Sequence, residues 1–338
     1  MTTLGPQATR RIAMVAFDDA VLLNLAGPAE AFGYANREFI RQRGLEGGPP
    51  PYEIRTYSPA GGTIRTNCGV ALVTEAFPEP AAIDFDTIAM IGGLHMRELA
   101  TDTSILRWLR AAVPLAKRVA SFGSGAFLLG KAGLLDGRRC AAHWRIADVL
   151  AEEVPAARVE PGALFVRDGH CLTAAGSIAS IDLALSMIEE DHGKSLALTV
   201  ARVMVLPHMR PGDQPQVSAE LRAQTAVSPR VQKAAEWILA SLDRRPTVAA
   251  VASRFAMSER NFSRSFTREI GMSPQRFIVA ARLEAARRWL TGSTLPIETI
   301  ARRAGYSSGE HLTHAFRKMM GTTPGDYRRS AGEDGEPG

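Results

Sequence analysis

One pattern occurs twice near the C-terminus of this chain, at a spacing of fifty residues. Five residues of the first copy recur in the second: Ser258, Phe262, Phe266, Gly271 and Pro274 return as Ser308, Leu312, Phe316, Gly321 and Pro324. Serine is a favoured helix N-cap, apolar residues four apart share one helix face, and glycine commonly ends a helix. Each copy therefore predicts a helix with one buried face, and the repetition predicts two equivalent structural units.

A shorter amphipathic segment precedes each of these helices, at residues 247–255 and 296–304. The links between the paired segments are tight turns, Ala256-Met257 in the first copy and Gly305-Tyr306-Ser307 in the second. Two helices joined in this way form a helix-turn-helix, whose second helix enters the major groove of DNA. Residues 274–290 predict a longer helix that fixes the separation of the two units.

Positive charge is confined to the same part of the chain. Residues 218–330 contain 19 Lys and Arg against 9 Asp and Glu, whereas residues 1–217 contain 21 basic and 23 acidic side chains. The residues after 330 add three acidic side chains. An excess of cations in one segment is what binding to a phosphate backbone requires.

Residues 228–330 resemble the AraC/XylS-type DNA-binding domain, whose two helix-turn-helix units enter successive major grooves. The closing run Gly321-Thr-Thr-Pro-Gly-Asp-Tyr-Arg-Arg matches the end of the second unit of that family. The resemblance implies double-stranded promoter or operator DNA as a partner, and RNA polymerase if the protein is an activator. The alternative is a helical repeat with no role in nucleic-acid binding.

The first reading helix offers arginines for base recognition, because an arginine can donate two parallel hydrogen bonds to guanine. We predict base contacts for the residues opposite the apolar face: Arg260, Ser263 and Arg264. Contacts to the DNA backbone are predicted for two further arginines, Arg268 and Arg276.

The second reading helix carries different side chains, and His314 stands where the family often has arginine. We expect weaker base recognition from it, by four candidates: Glu310, His311, Thr313 and His314. Arg317 and Lys318 are predicted to contact the backbone.

The first two thirds of the chain alternate short β-rich runs with helical ones. This rhythm predicts an α/β doubly wound, flavodoxin-like domain followed by the all-α domain. Predicted strands cover residues 12–17, 53–58, 71–74, 87–92, 118–122 and 163–175, and predicted helices cover 27–42, 104–116, 125–132, 144–153 and 178–190.

One strand, residues 118–122, runs directly into Gly123-Ser124-Gly125 and then into an apolar helix. Four further motifs accompany this elbow: Leu25-Ala-Gly-Pro, Ile91-Gly-Gly-Leu, His143-Trp144 and Ala175-Gly-Ser-Ile. With them, residues 11–205 resemble the DJ-1/PfpI branch of the class I glutamine amidotransferase-like domains. In the enzymes of that branch the elbow presents a cysteine activated by a nearby histidine.

Here Gly123 takes the position of that cysteine, and the three cysteines, Cys68, Cys140 and Cys171, lie elsewhere. Asn24 replaces the acid that often precedes the Gly-Pro motif. We therefore expect no enzymatic activity and no catalytic residue. A pocket for a small polar or anionic effector remains, with Asn24, Gly92, Gly93, Gly123, Ser124 and His143 as its candidate residues. Alternatively, side chains fill this crevice and the domain only dimerises.

The two resemblances in this order match AraC-type regulators with an amidotransferase-like sensor, the GlxA-like group. We divide the chain into a flexible start (1–10), a sensor and dimerisation domain (11–205), a linker (206–227), the DNA-binding domain (228–330) and a disordered tail (331–338). The predicted function is a sequence-specific transcription regulator, an activator and homodimer. The alternatives are an amidase or glyoxalase-like enzyme fused to a DNA-binding domain, and a ligand-independent DNA-binding dimer.

Composition adds expectations about surroundings and cofactors. No apolar run reaches transmembrane length, and the N-terminal residues lack the features of a signal peptide, which predicts a cytoplasmic, nucleoid-associated protein without membrane contact. The three cysteines lack metal-ligand spacing, so neither a metal site nor a cofactor is expected.

Overall fold

The computed structural model describes residues 8–43, 48–79 and 82–332. The chain forms two compact units that divide between Gln216 and Val217. This division falls inside the range 206–227 that was predicted as a linker. None of the helices in the described ranges is both long and apolar enough to cross a bilayer.

Within the described ranges, the first unit combines ten strands with seven α-helices. Its strands are β1 (Arg10–Val15), β2 (Tyr52–Ser58), β3 (Ala60–Arg65), β4 (Ala71–Ala76), β5 (Thr87–Ile91), β6 (Arg118–Phe122), β7 (Arg139–Ala142), β8 (Arg158–Pro161), β9 (Phe165–Asp168) and β10 (Cys171–Ala174). Its helices are α1 (Leu22–Arg43), α2 (Met96–Leu99), α3 (Thr103–Ala112), α4 (Ala126–Lys131), α5 (Ala147–Glu153), α6 (Ile178–His192) and α7 (Lys194–Val203).

The second unit is helical. Its helices are α8 (Ala219–Gln224), α9 (Pro229–Ala240), α10 (Val248–Arg254), α11 (Glu259–Ile270), α12 (Pro274–Gly292), α13 (Ile297–Arg303), α14 (Gly309–Met320) and α15 (Pro324–Gly332). The two predicted helix-turn-helix units are the pairs α10–α11 and α13–α14, with α12 between them.

The main sheet has the strand order β3-β4-β2-β1-β5-β6-β10-β9. All neighbours pair in parallel except β3 with β4 and β9 with β10. Alternate residues of β1 enter different cores: Ile12 and Met14 pack into one, Ala13 and Val15 into the other. Both faces are therefore covered, which confirms the doubly wound α/β fold.

The strand order reverses its direction of growth between β1 and β5. In open α/β sheets, ligands bind outside the carboxyl ends of the strands at such a switch point. The loops that follow β1, β5 and β6 meet there, which places the glycine-rich elbow at the position where this fold holds ligands.

Three local predictions differ from the structure. Helix α1 begins at Leu22, five residues earlier than predicted, because the Asn67 side-chain oxygen accepts the Leu22 N–H at 3.2 Å from a distant turn. Residues 163–175 form the hairpin β9–β10 instead of one strand. Strands β3, β7 and β8 were not predicted, since their short runs lack a clear apolar period.

The segment predicted as a linker is folded on both sides of the division. In the first unit, Arg210 pairs with the buried Asp182 at 2.5 Å, and the Gln216 amide donates to the carbonyl oxygens of Ala142 and Ala163 at 2.8 Å. In the second unit, Glu284 accepts the N–H of Ala219 at the start of α8. Residues within the range 206–227 thus make specific contacts with the unit to which they belong.

Candidate DNA interface and effector crevice

The fifty-residue repeat of the sequence is also a structural repeat. Ser258 caps α11 by accepting the Asn261 N–H at 3.3 Å, and Ser308 caps α14 by accepting the His311 N–H at 3.1 Å. Both helices end at a glycine in the left-handed conformation, Gly271 with φ 79° and Gly321 with φ 68°. We call α11 and α14 the reading helices.

Buried aromatic residues fix the orientation of α11. Phe262 and Phe266 are fully buried, and the Phe266 ring contacts that of Phe277 on α12 edge-on at 5.2 Å. The opposite face of α11 is exposed and carries Arg260 and Arg264. The packing of the aromatic face thereby turns these two guanidinium groups to the outside, as the sequence predicted.

Ser263 differs from the two arginines, because it lies at the margin of the buried face and is only partly exposed. Asn261 was not predicted as a base-reading residue, yet it is exposed and accepts a hydrogen bond from Arg264 at 3.4 Å. Asparagine can pair with adenine through two hydrogen bonds. In the fifty-residue repeat, Asn261 is equivalent to His311, which was predicted as a base reader. This equivalence could have identified Asn261 from the sequence.

Four residues of the second reading helix are predicted to read bases, and hydrogen bonds to described residues restrain two of them. The Thr313 hydroxyl donates to the Gly309 carbonyl of its own helix at 2.8 Å, and the His311 ring lies 2.8 Å from the Ser307 hydroxyl. Glu310 and His314 are exposed and make no hydrogen bond to the described residues. Of the four predicted base readers, these two are the ones that no hydrogen bond to the described residues restrains.

The four cations predicted to contact the backbone are all exposed: Arg268, Arg276, Arg317 and Lys318. Arg268 alone has an ion pair with a described residue, Glu269, at 3.2 Å. The other oxygen of Glu269 accepts the Ser228 N–H ahead of α9 at 2.8 Å. Glu269 therefore restrains the side chain of Arg268 near the end of the first reading helix.

Asn24 lies at the centre of the predicted effector crevice, and its side chain is only 3% exposed. The Asn24 amide nitrogen lies 3.3 Å from the Gly92 carbonyl and 3.4 Å from the Phe122 carbonyl. Its oxygen accepts the Ser177 N–H at 2.6 Å. Asn24 thereby ties the ends of β5 and β6 to the start of α6.

The glycines of the crevice allow very close contacts. Gly123 has φ 67°, and a β-carbon added there would lie 3.0 Å from the Asn24 amide nitrogen. A β-carbon at Gly92 would overlap the Phe122 carbonyl oxygen. Ser124 donates its hydroxyl proton to the Gly93 carbonyl at 2.7 Å. The structure therefore brings together five of the six predicted pocket residues.

His143, the sixth, follows β7 and is partly buried. Its Nδ1 accepts the Arg145 N–H at 3.3 Å, and no hydrogen bond within the described ranges joins it to the elbow. Burial and the Arg145 charge lower the pKa of His143. The lowered pKa favours the neutral ring, and its hydrogen bond orders the loop after β7.

Gly176 and Ser177 belong to the crevice but were not predicted as site residues. Ser177 has φ 52° and ψ −126°, a strained conformation for a residue other than glycine. The Gly176 α-carbon would lie 3.5 Å from a β-carbon at Gly123. The Gly-Ser pair after β10 resembles the Gly123-Ser124 pair after β6, and that parallel was the available sequence signal.

The three cysteines lie away from the elbow, as expected. Cys140 and Cys171 are buried, and burial raises the pKa of Cys140 to about 11 and also raises that of Cys171. Cys68 is exposed in the turn between β3 and β4, where a hydrogen bond with the Thr66 hydroxyl lowers its pKa.

Comparison with known proteins agrees with both halves of the structure. Residues 10–190 match the DJ-1/PfpI family, and residues 251–330 match a family described as a helix-turn-helix domain. The HTH-type transcriptional regulator GlxA of Rhizobium meliloti is 30% identical over 296 residues, covering 87% of this chain and 90% of the relative.

Two further relatives match the first unit. The isonitrile hydratase of Pseudomonas putida is 36% identical over 115 residues, which cover 34% of this chain and 49% of the enzyme. A solved ThiJ/PfpI family protein from Pseudomonas syringae superposes with a TM-score of 0.52 at 25% identity, covering 62% of this chain and 81% of that protein. The first unit thus has relatives among both enzymes and regulators.

The match to GlxA covers most of the chain, and the helix-turn-helix match at residues 251–330 contains the second and most of the first helix-turn-helix, whose arginines the structure exposes. The chain therefore belongs to the DJ-1/PfpI family and, as a whole, to the GlxA-like group of AraC-type helix-turn-helix transcriptional regulators, which bind DNA.

Proposed function

We propose that this regulator is an activator that binds its operator through both reading helices and senses a small metabolite in the DJ-1/PfpI unit without turning it over. The observation that carries the proposal is the contact between Asn24 and Gly123. A ligand-binding fold is retained at the switch point of the sheet, while the nucleophile position holds a glycine covered by a fully hydrogen-bonded amide.

The geometry argues against covalent catalysis at the elbow. A nucleophile needs a side chain with an aligned base, and Gly123 has no side chain. His143, the candidate base, makes its hydrogen bond within its own loop. The Ser124 hydroxyl donates to the Gly93 carbonyl, which engages its proton away from any attack on a substrate.

The mouth of the crevice indicates the chemistry of the effector. In the sheet, β6 lies between β5 and β10, so the residues after these two strands flank the elbow. Leu94, which follows β5, is 67% exposed, and Ile178, which follows β10, is 54% exposed. We infer an effector with a polar group that faces the loop amides and an apolar part that covers these two side chains.

The test is DNase footprinting on the region upstream of the gene, with purified protein and candidate metabolites. We expect protection that changes with one class of metabolite. A Ser124→Leu variant narrows the crevice and should lose this response while it still protects the DNA. Ser195→Leu, at the exposed start of α7 beyond the opposite edge of the sheet, is the control.

Two results contradict the proposal. One is a full response of a folded Ser124→Leu protein, which moves the effector away from the crevice. The other is hydrolysis of an amide, hydration of an isonitrile or conversion of a dicarbonyl at an enzyme-like rate by the wild-type protein. That second result favours the enzyme fused to a DNA-binding domain.

A further inference from the structure

A groove of about 400 Å³ in the second unit is lined by five residues: Asp243, Arg245, Thr299, Arg302 and Arg303. Three of the five are exposed arginines, and only one is a carboxylate. None of these arginines has an ion pair with a described residue. This arginine groove therefore carries an uncompensated positive charge that neither reading helix accounts for.

The packing of the second helix-turn-helix builds the groove. Its turn contains Gly305, with φ 86°, and a β-carbon there would overlap the Leu242 carbonyl oxygen. This close approach brings the segment before α10 against the end of α13. One wall of the groove thus precedes the first helix-turn-helix, and the other belongs to the second.

Two local features at and near the groove are energetically unfavourable. Arg245 has φ 54°, a left-handed conformation that disfavours any residue with a β-carbon. The buried Nε of Arg282 has no hydrogen-bond partner in the described ranges, and burial, together with the charge of Arg245, lowers the Arg282 pKa. Like charges kept together in this way are stabilised by an anion.

The type of anion follows from the side chains and their position. Guanidinium groups recognise phosphate through paired hydrogen bonds. In a helix-turn-helix the first helix lies across the DNA backbone, and the groove is bounded by α13 and by the residues that lead into α10, the two first helices. The groove therefore lies beside the helices that the motif places over phosphates.

We propose that the arginine groove is a phosphate-binding site that, in the DNA complex, holds backbone phosphates of the duplex between the two major grooves entered by α11 and α14. The proposal rests on the proposed function as a DNA-binding regulator. It adds a third point of attachment, which fixes the spacing of the two half-sites and carries no sequence preference of its own.

The experiment measures how the affinity of the full chain for its operator falls with salt. The operator is a fragment that the wild-type protein enriches from random DNA. If the proposed function is wrong, no fragment is enriched, and this result appears before any variant is measured. The variants are Arg245→Gly, which relieves the backbone strain, and Arg302→Gln. Arg230→Gln, which removes an exposed cation from α9, is the matched control.

We expect each groove variant to reduce the slope of log K against log salt by about one, with no change in the preferred sequence, and the double variant by about two. The control should keep the wild-type slope. Unchanged slopes in the double variant overturn the proposal.

If the slopes are unchanged, two additional measurements identify the ligand that the groove binds instead of DNA. The first is calorimetric titration with pyrophosphate. If pyrophosphate binds to the wild-type protein but not to the double variant, the groove is assigned to a soluble phosphate compound, and its assignment to DNA is overturned. Lower transcription by RNA polymerase with unchanged DNA binding assigns it to an acidic protein surface, which also overturns the proposal.

Discussion

The amide nitrogen of Asn24 packs against Gly123 and lies 3.0 Å from the position that a β-carbon on Gly123 would take. The two residues are therefore complementary: Gly123 leaves the space that Asn24 covers, and Asn24 connects three elements of the unit through that space. A side chain at Gly123 therefore requires the Asn24 amide to shift by a few tenths of an ångström.

We expect Gly123→Ala to destabilise the first unit by on the order of 2 kcal/mol, through its left-handed backbone and the contact with Asn24. Calorimetry should show a transition lowered by about 4–8 °C. Gly33→Ala is the control, since Gly33 lies within α1 with nothing near its missing β-carbon, and alanine there should be neutral or stabilising. Equal effects of the two substitutions would show that the Asn24 contact is unimportant.

Base recognition and backbone attachment should separate in the first reading helix. Arg264→Ala should cost about 1–3 kcal/mol in operator binding and relax the preference at one base position. Arg268→Ala should weaken all sequences alike. Binding assays on the operator and on its single-base variants measure both effects. A uniform loss for Arg264→Ala would remove Arg264 from the base readers.

The cysteines should differ in reactivity, because the thiolate is the reactive form and burial raises the pKa of Cys140 and Cys171. We expect iodoacetamide at pH 8 to label Cys68 alone in the native protein, with operator binding unchanged. Mass spectrometry of the labelled chain and a binding assay on the same sample check this. Rapid labelling of Cys140 or Cys171 would contradict their burial.

We expect the full chain to be a homodimer through its first unit, since two joined protomers present four reading helices to one operator and gain affinity by avidity. Sedimentation of the full chain at micromolar concentration tests the expectation. A monomer both in free solution and on operator DNA would exclude it.

Much of the fold could be predicted because local signals agreed with the tertiary structure. Ser258 and Ser308 do cap their helices, Phe262 and Phe266 are buried, and the central strand β5 is buried along its whole length. The early start of α1 could not be predicted, because Asn67 caps it from a turn far along the chain.

The candidate site was predictable only in part, for the same physical reason. The elbow at Gly123 is a local strand-to-helix junction and is visible in the sequence. The hydrogen bonds of Asn24 join residues that lie far apart in the chain, so the burial of its side chain and its bond to the Ser177 N–H emerge only from the structure. The arginine groove likewise depends on the contact between Gly305 and Leu242.

The central claim is that two unequal reading helices recognise DNA, and selection of binding sites from random duplexes by the full chain tests it most directly. We predict an enriched motif that contains, for each protomer, two elements about one helical turn apart, roughly 10 base pairs, because the two helices enter successive major grooves. The element read by α11 should be the more constrained, since Arg260 and Arg264 have only Glu310 and His314 as counterparts on α14. Arg264→Ala should relax that element alone. Failure to enrich any motif, or a single element that Arg264→Ala leaves unchanged, would contradict the account.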